Sequence, residues 1–146
     1  MLKIEDALIT HGKCVFPVKG TSMLPLLEQS RDTVVVVPIK ERAKKYDVVL
    51  YKVGDNYILH RVVKVKKDHY VIWGDNCILK ELIPFHDVIG VAIGFNINGK
   101  YVSAEDKSYL EYAKKQSRKR WKRVLVRKTV YGAKRLLSKG KRLFKK

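Results

Sequence analysis

Three short patches carry side chains that could do chemistry together. Gly20-Thr21-Ser22-Met23-Leu24-Pro25 offers a hydroxyl, Leu59-His60-Arg61-Val62-Val63 an imidazole, and Gly74-Asp75-Asn76 a carboxylate. A serine is a weak nucleophile until a base takes its proton, and an imidazole suits that task because its ordinary pKa lies near neutrality. Hydroxyl, imidazole and acid are the three groups of a hydroxyl-nucleophile hydrolase. Gly20 permits a tight turn before Ser22, and Pro25 stiffens the chain just beyond it. Such a turn presents a hydroxyl and leaves backbone N–H groups for an oxyanion. Singly, each patch is ordinary: a turn serine commonly bonds its own backbone, and a lone histidine is more often structural than catalytic.

Taken in order, the patches resemble the type I signal peptidase family, whose peptidase fold is shared with the self-cleaving SOS repressors. The resemblance runs from about Pro17 to about Phe95. Gly20 to Pro25 is similar to the family's G-x-S-M-x-P nucleophile box, and Tyr46 to Tyr51 to its G-D-hydrophobic-V strand. Leu59 to Val63 is similar to its general-base box, and Trp73 to Asn76 with Asp87 to Val91 to its closing boxes. Most bacterial members carry Lys as the base; His60 stands there, as in the endoplasmic-reticulum, archaeal and some Gram-positive members. The resemblance implies a serine endopeptidase that cuts signal or leader peptides after small residues, with Ser22 as nucleophile, His60 as general base and neither metal nor organic cofactor. An acid six residues after the Gly-Asp-Asn aspartate orients the imidazole in the Ser–His members; that position is Glu81, with Asp75 either a structural acid or the orienter itself. Met23 and Leu24 are implied to line the pocket for small side chains, with Gly20 and Thr21 beside them. Where related enzymes often read Ser-Gly-Ser, this chain reads Gly20-Thr21-Ser22.

The elements that must position these groups are strands. Val15–Lys19, Thr33–Pro38, Val48–Val53, Tyr57–Lys66, Tyr70–Trp73, Val88–Asn96 and Tyr101-Val102 are short and rich in β-branched or aromatic residues. Gly54-Asp55-Asn56, Lys67-Asp68 and Asn98-Gly99 separate them as hairpin turns. Alternation from Tyr57 places His60, Val62 and Lys64 on one face. Residues 2–12 read as a short helix or an irregular lead-in. The sum is a mainly β domain over residues 1–103, a sandwich or partly closed barrel. Ser103-Ala104-Glu105-Asp106 has the hydroxyl and early acids of a helix start. Residues 104–146 then read as a basic helical tail whose Leu110, Trp121, Val124, Leu125, Gly132, Leu136 and Leu143 share a face, with Gly132 and Gly140 as candidate breaks.

Charge separates the two parts. Residues 101–146 hold 17 Lys and Arg against 3 acids, and residues 1–100 hold 15 against 11, so most of the net charge of +18 belongs to the tail. Such a block seeks anionic surfaces. An anionic membrane is favoured over nucleic acid, because the implied substrates are membrane-targeted peptides or preproteins. This predicts a peripheral protein of a bacterial cytoplasmic membrane. No stretch has the length and apolarity of a spanning helix, and residues 1–13 lack the apolar core of a signal peptide. A nucleic-acid- or partner-binding regulator on a peptidase-like fold is the rival reading, although the roughly sixteen residues ahead of the first box are too few for a helix-turn-helix domain. Cys14 and Cys77 lack metal-ligand spacing and read as free thiols, not nucleophiles. His11, His69 and His86 read as surface or loop residues, and Asp32, Asp47 and Asp87 as turn or strand-entry residues.

Overall fold

Valine dominates the strands that build the sheet. The computed structural model describes residues 3–143, the side chains of 127, 131 and 133–143 excepted. A helix α1 (Ile4–His11) is followed by β1 (Cys14–Pro17), β2 (Thr33–Pro38), β3 (Val48–Val53), β4 (Asn56–Val65), β5 (His69–Trp73), β6 (Glu81–Pro84), β7 (Val88–Ile97), β8 (Lys100–Ser103) and the long helix α2 (Lys107–Leu143). All strand pairings are antiparallel. Along the sheet the order is β1-β2-β7-β3-β4-β5-β6, with β8 also on β7. β1 and β6 end the order without pairing with each other, so the sheet is open and sandwich-like, and of the two architectures expected the barrel is not formed.

β7 joins two halves. One edge pairs β2 along its length; the other pairs β3 through Val88–Val91 and β8 through Gly94–Ile97. The buried run Val48-Val49-Leu50-Tyr51 of β3 serves both halves by the alternation of a strand. Val48 and Leu50 join one core cluster with Met23, Leu26, Leu27 and Phe95. Val49 and Tyr51 join the other with Val62, Tyr70 and Ile72. Two-residue hairpins set the register. Gly54-Asp55 links Val53 to its partner Asn56, with Gly54 at φ 59. Asn98 and Gly99, at φ 49 and 77, link Ile97 to Lys100 in the left-handed conformation that two-residue hairpins favour.

Three expectations are corrected. β6 lies where no strand was expected: Glu81-Leu82-Ile83-Pro84 is short and carries a charge and a proline, which suits a sheet edge. α2 runs through Gly132 and Gly140 without a break; a glycine weakens a helix by about 1 kcal/mol, which lowers its stability without forbidding it. The apolar face read from Leu110, Trp121, Val124 and Leu125 is not the face that packs. Tyr109, Ala113, Gln116 and Arg120 are buried, whereas Trp121 and Leu125 are 71% and 66% exposed. A hydrophobic-only stripe does not find the docking face, because that face bonds to the domain through tyrosine and arginine.

Candidate active site

Ser22 sits in the loop between β1 and β2, and the loop is tied at several points. Gly20 turns at φ 76 and its N–H donates to Gln29 Oε1 at 2.6 Å. Met23, Leu26 and Leu27 sink into the core, so the side chain of Met23 is core packing, while Leu24 is half-buried and Thr21 exposed. Asp32, fully buried, closes the loop: Oδ2 accepts from Glu28 N–H, Oδ1 from Asn98 N–H, and Arg31 pairs with both oxygens. The hydrogen bond from Arg31 and those backbone N–H groups hold its carboxyl far below the ordinary range, against its burial.

The second side of the site comes from β5 and the turn after it. Asn76 N–H donates to Ser22 O at 2.8 Å, and Asn76 Nδ2 to Thr21 O at 3.1 Å. Gly74 lies at the point of closest approach. A β-carbon placed there would meet Cys77 Sγ at 2.5 Å, Ser22 O at 2.8 Å and His60 Nε2 at 2.9 Å. The Ser22 backbone and the His60 imidazole are therefore neighbours across a gap that only a glycine leaves open.

His60 is 6% exposed and shares a sheet face with Tyr51. It pairs with Val49, so Tyr51, two residues on, is its diagonal neighbour. On the Nδ1 side, Tyr51 Oη lies at 2.9 Å and Glu81 Oε1 at 3.1 Å; Tyr51 Oη in turn donates to Glu81 Oε2 at 2.9 Å. On the Nε2 side lie the Ser22 loop and, at 4.0 Å, Cys77 Sγ. Burial depresses the His60 pKa from 6.5, partly offset by the Glu81 carboxylate. Burial, then Glu81, raises the pKa of the Cys77 thiol and that of Tyr51. Of the two acids open to the orienting role, Glu81 is the one within reach of the imidazole.

Asp75 faces elsewhere. Arg61 donates to it twice, Nε to Oδ1 at 2.9 Å and Nη2 to Oδ2 at 2.8 Å, and Arg120 of α2 donates Nη2 to Oδ1 at 2.6 Å. Arg61 also reaches Tyr109 Oη at 2.8 Å and Tyr46 O at 3.0 Å. Arg123 of α2 donates to Asp75 O at 3.1 Å, and the Arg120 guanidinium lies 5.0 Å from the Trp73 ring centroid. Burial disfavours the charge on Arg61, but Asp75 raises its pKa on balance; burial wins at Arg120 and lowers it. This network, with Asp75, Arg61 and Arg120 buried at its centre, ties α2 to the turn that carries Gly74, Asn76 and Cys77.

Tyr51, Cys77 and the Arg120 contact escaped the sequence reading. Tyr51 was recoverable: the two-residue hairpin at Gly54-Asp55 fixes the register that puts it diagonal to His60. Cys77 has no histidine close to it along the chain, and only the fold brings His60 Nε2 to within 4.0 Å of its Sγ. His11 and His86 are exposed, and His69 begins β5 with Nδ1 2.6 Å from Asp68. Among the described residues no three His, Cys, Asp or Glu side chains are grouped to hold a metal ion, and no helix is long and apolar enough to cross a membrane. No protein-family model matches this chain, and no curated protein does.

Proposed function

We propose that the chain is a serine endopeptidase of the signal-peptidase type, acting on leader or signal segments with small residues before the cut. One observation carries this reading: the Ser22 carbonyl oxygen and His60 Nε2 both lie beside Gly74, which brings the Ser22 backbone next to the imidazole, while Glu81 and Tyr51 back the other ring nitrogen. Ser22 Oγ attacks the scissile carbonyl as His60 Nε2 takes its proton. Backbone N–H groups of the Ser22 turn hold the oxyanion. His60 passes the proton to the leaving amine, and water then releases the acyl group with the same base. Gly20, Thr21 and Leu24 border the substrate. The basic α2 segment holds the enzyme to an anionic membrane surface, where such substrates gather.

Cys77 supports a second reading, in which the thiol is the nucleophile, since its Sγ is 4.0 Å from Nε2. Its raised pKa argues against this: a thiolate is the reactive form, and burial beside Glu81 disfavours it. Incubating leader peptides with the wild type and the Ser22→Ala, His60→Ala and Cys77→Ala variants, read by mass spectrometry, separates the cases. Ser22→Ala and His60→Ala are expected to lose about 10⁴-fold or more of kcat with unchanged circular dichroism; Cys77→Ala should keep most of it. Full turnover by Ser22→Ala would sink the serine mechanism. Salt-sensitive DNA binding without peptide cleavage would favour a regulator.

A further inference from the structure

We infer that Tyr51 is a positioning residue that holds Glu81 on the imidazole and fixes the tautomer of His60, with the proton on Nδ1 and the lone pair on Nε2. Proton counting carries the inference. Tyr51 Oη lies 2.9 Å from Glu81 Oε2 and 2.9 Å from His60 Nδ1. A phenol has one proton, and Tyr51 donates it to Glu81 Oε2. The second contact then needs its proton from His60 Nδ1, which donates to the Tyr51 oxygen and to Glu81 Oε1 at 3.1 Å. Nε2, facing the Ser22 loop, is left unprotonated and able to accept.

The three groups differ in freedom, which gives Tyr51 its role. Tyr51 is fully buried and its ring meets the imidazole edge-on, 6.0 Å between centroids and 60° between planes. Glu81 is 36% exposed at the start of an edge strand. A carboxylate so placed has water as an alternative partner, and the Tyr51 hydroxyl is the fixed point that keeps one of its oxygens turned inward. The phenol stays protonated, because burial and Glu81 both oppose its ionisation. Removing the hydroxyl frees Glu81 to swing outward and lets the imidazole place its proton on either nitrogen.

The kinetic part of the test rests on the peptidase reading; the spectroscopic part does not. Nitrogen-15 spectra of histidine-labelled protein above pH 7, with the His60 signal identified from a His60→Asn variant, report the tautomer directly. The wild type should show Nδ1 protonated, and Tyr51→Phe a mixture shifted toward Nε2–H. In peptide cleavage, Tyr51→Phe should lower kcat about tenfold to a hundredfold with little change in KM. Combining it with Glu81→Gln should cost no more than Glu81→Gln alone, as expected of groups acting as a unit. A pure Nδ1–H tautomer in Tyr51→Phe, or wild-type kcat in that variant, would overturn the inference. Absence of cleavage by the wild type would refute the peptidase reading while the spectra still decided the tautomer.

Discussion

His60 is the residue on which the pH behaviour turns. Its imidazole is faced by Tyr51 and Glu81 on one side and Cys77 on the other, with Asp75 and Arg120 farther off. Burial is the largest influence and lowers its pKa below 6.5, so the neutral base persists into mildly acidic solution. On the proposed peptidase reading, a plot of kcat/KM against pH should rise to its plateau with a midpoint below 6.5 and stay flat through neutrality. The same shift acts on stability. Between the two pKa values the unfolded chain binds a proton that the folded one refuses, so stability is intact above about 6.5 and falls as pH drops through the depressed pKa. Urea unfolding at pH 7.5 and pH 5, compared between the wild type and His60→Asn, checks the sign; an equal pH slope in both would contradict it. At this scale the sequence named His60 and Ser22, since their flanking residues are distinctive. It left Glu81 and Asp75 undecided, because both are acids near the same box and only the side chains' directions separate them.

At the scale of elements, β4 and α2 meet through one buried ion network. β4 carries His60 and Arg61 on opposite faces, so a single step along the strand links the imidazole to the network. Asp75 is the shared anion between Arg61 and Arg120. Asp75→Asn would leave two buried guanidinium groups without a counter-charge and should cost about 3–5 kcal/mol. Arg120→Met should cost less than half of that, because Asp75 keeps its paired bonds to Arg61 and because Arg120 Nε and Nη1 already lack a partner among the described residues. Urea midpoints in the reverse order would show that the network is not organised around Asp75. β6 was invisible to pattern reading for a physical reason: four residues at a sheet edge need bury only one, here Ile83. The docking face of α2 was hidden likewise, since tyrosine and arginine at helical spacing look like a solvated surface until a buried aspartate is set against them.

For the whole molecule, the described contacts of α2 with the β domain divide the helix by role. Tyr109, Ala113, Gln116 and Arg120 bury against the domain, and Arg123 makes the last bond to it. Residues 125–146 hold nine Lys and Arg and no acid. A chain ending at residue 124 should keep the urea midpoint of the full protein but lose binding to anionic vesicles, and the full chain's binding should weaken as salt rises. Equal vesicle partitioning by the shortened chain would overturn the membrane role proposed for this segment. Local chemistry in the sequence was enough to establish a mainly β domain followed by a basic helix: β-branched runs, two-residue turns and the abrupt gain in Lys and Arg are properties of neighbouring residues. Three decisions belonged to the tertiary structure: that Glu81 and not Asp75 reaches the imidazole, that Cys77 Sγ lies 4.0 Å from Nε2, and that α2 is clamped to the turn after β5. Each joins residues brought together by strand pairing and helix docking, and separation along the chain carries no record of such meetings.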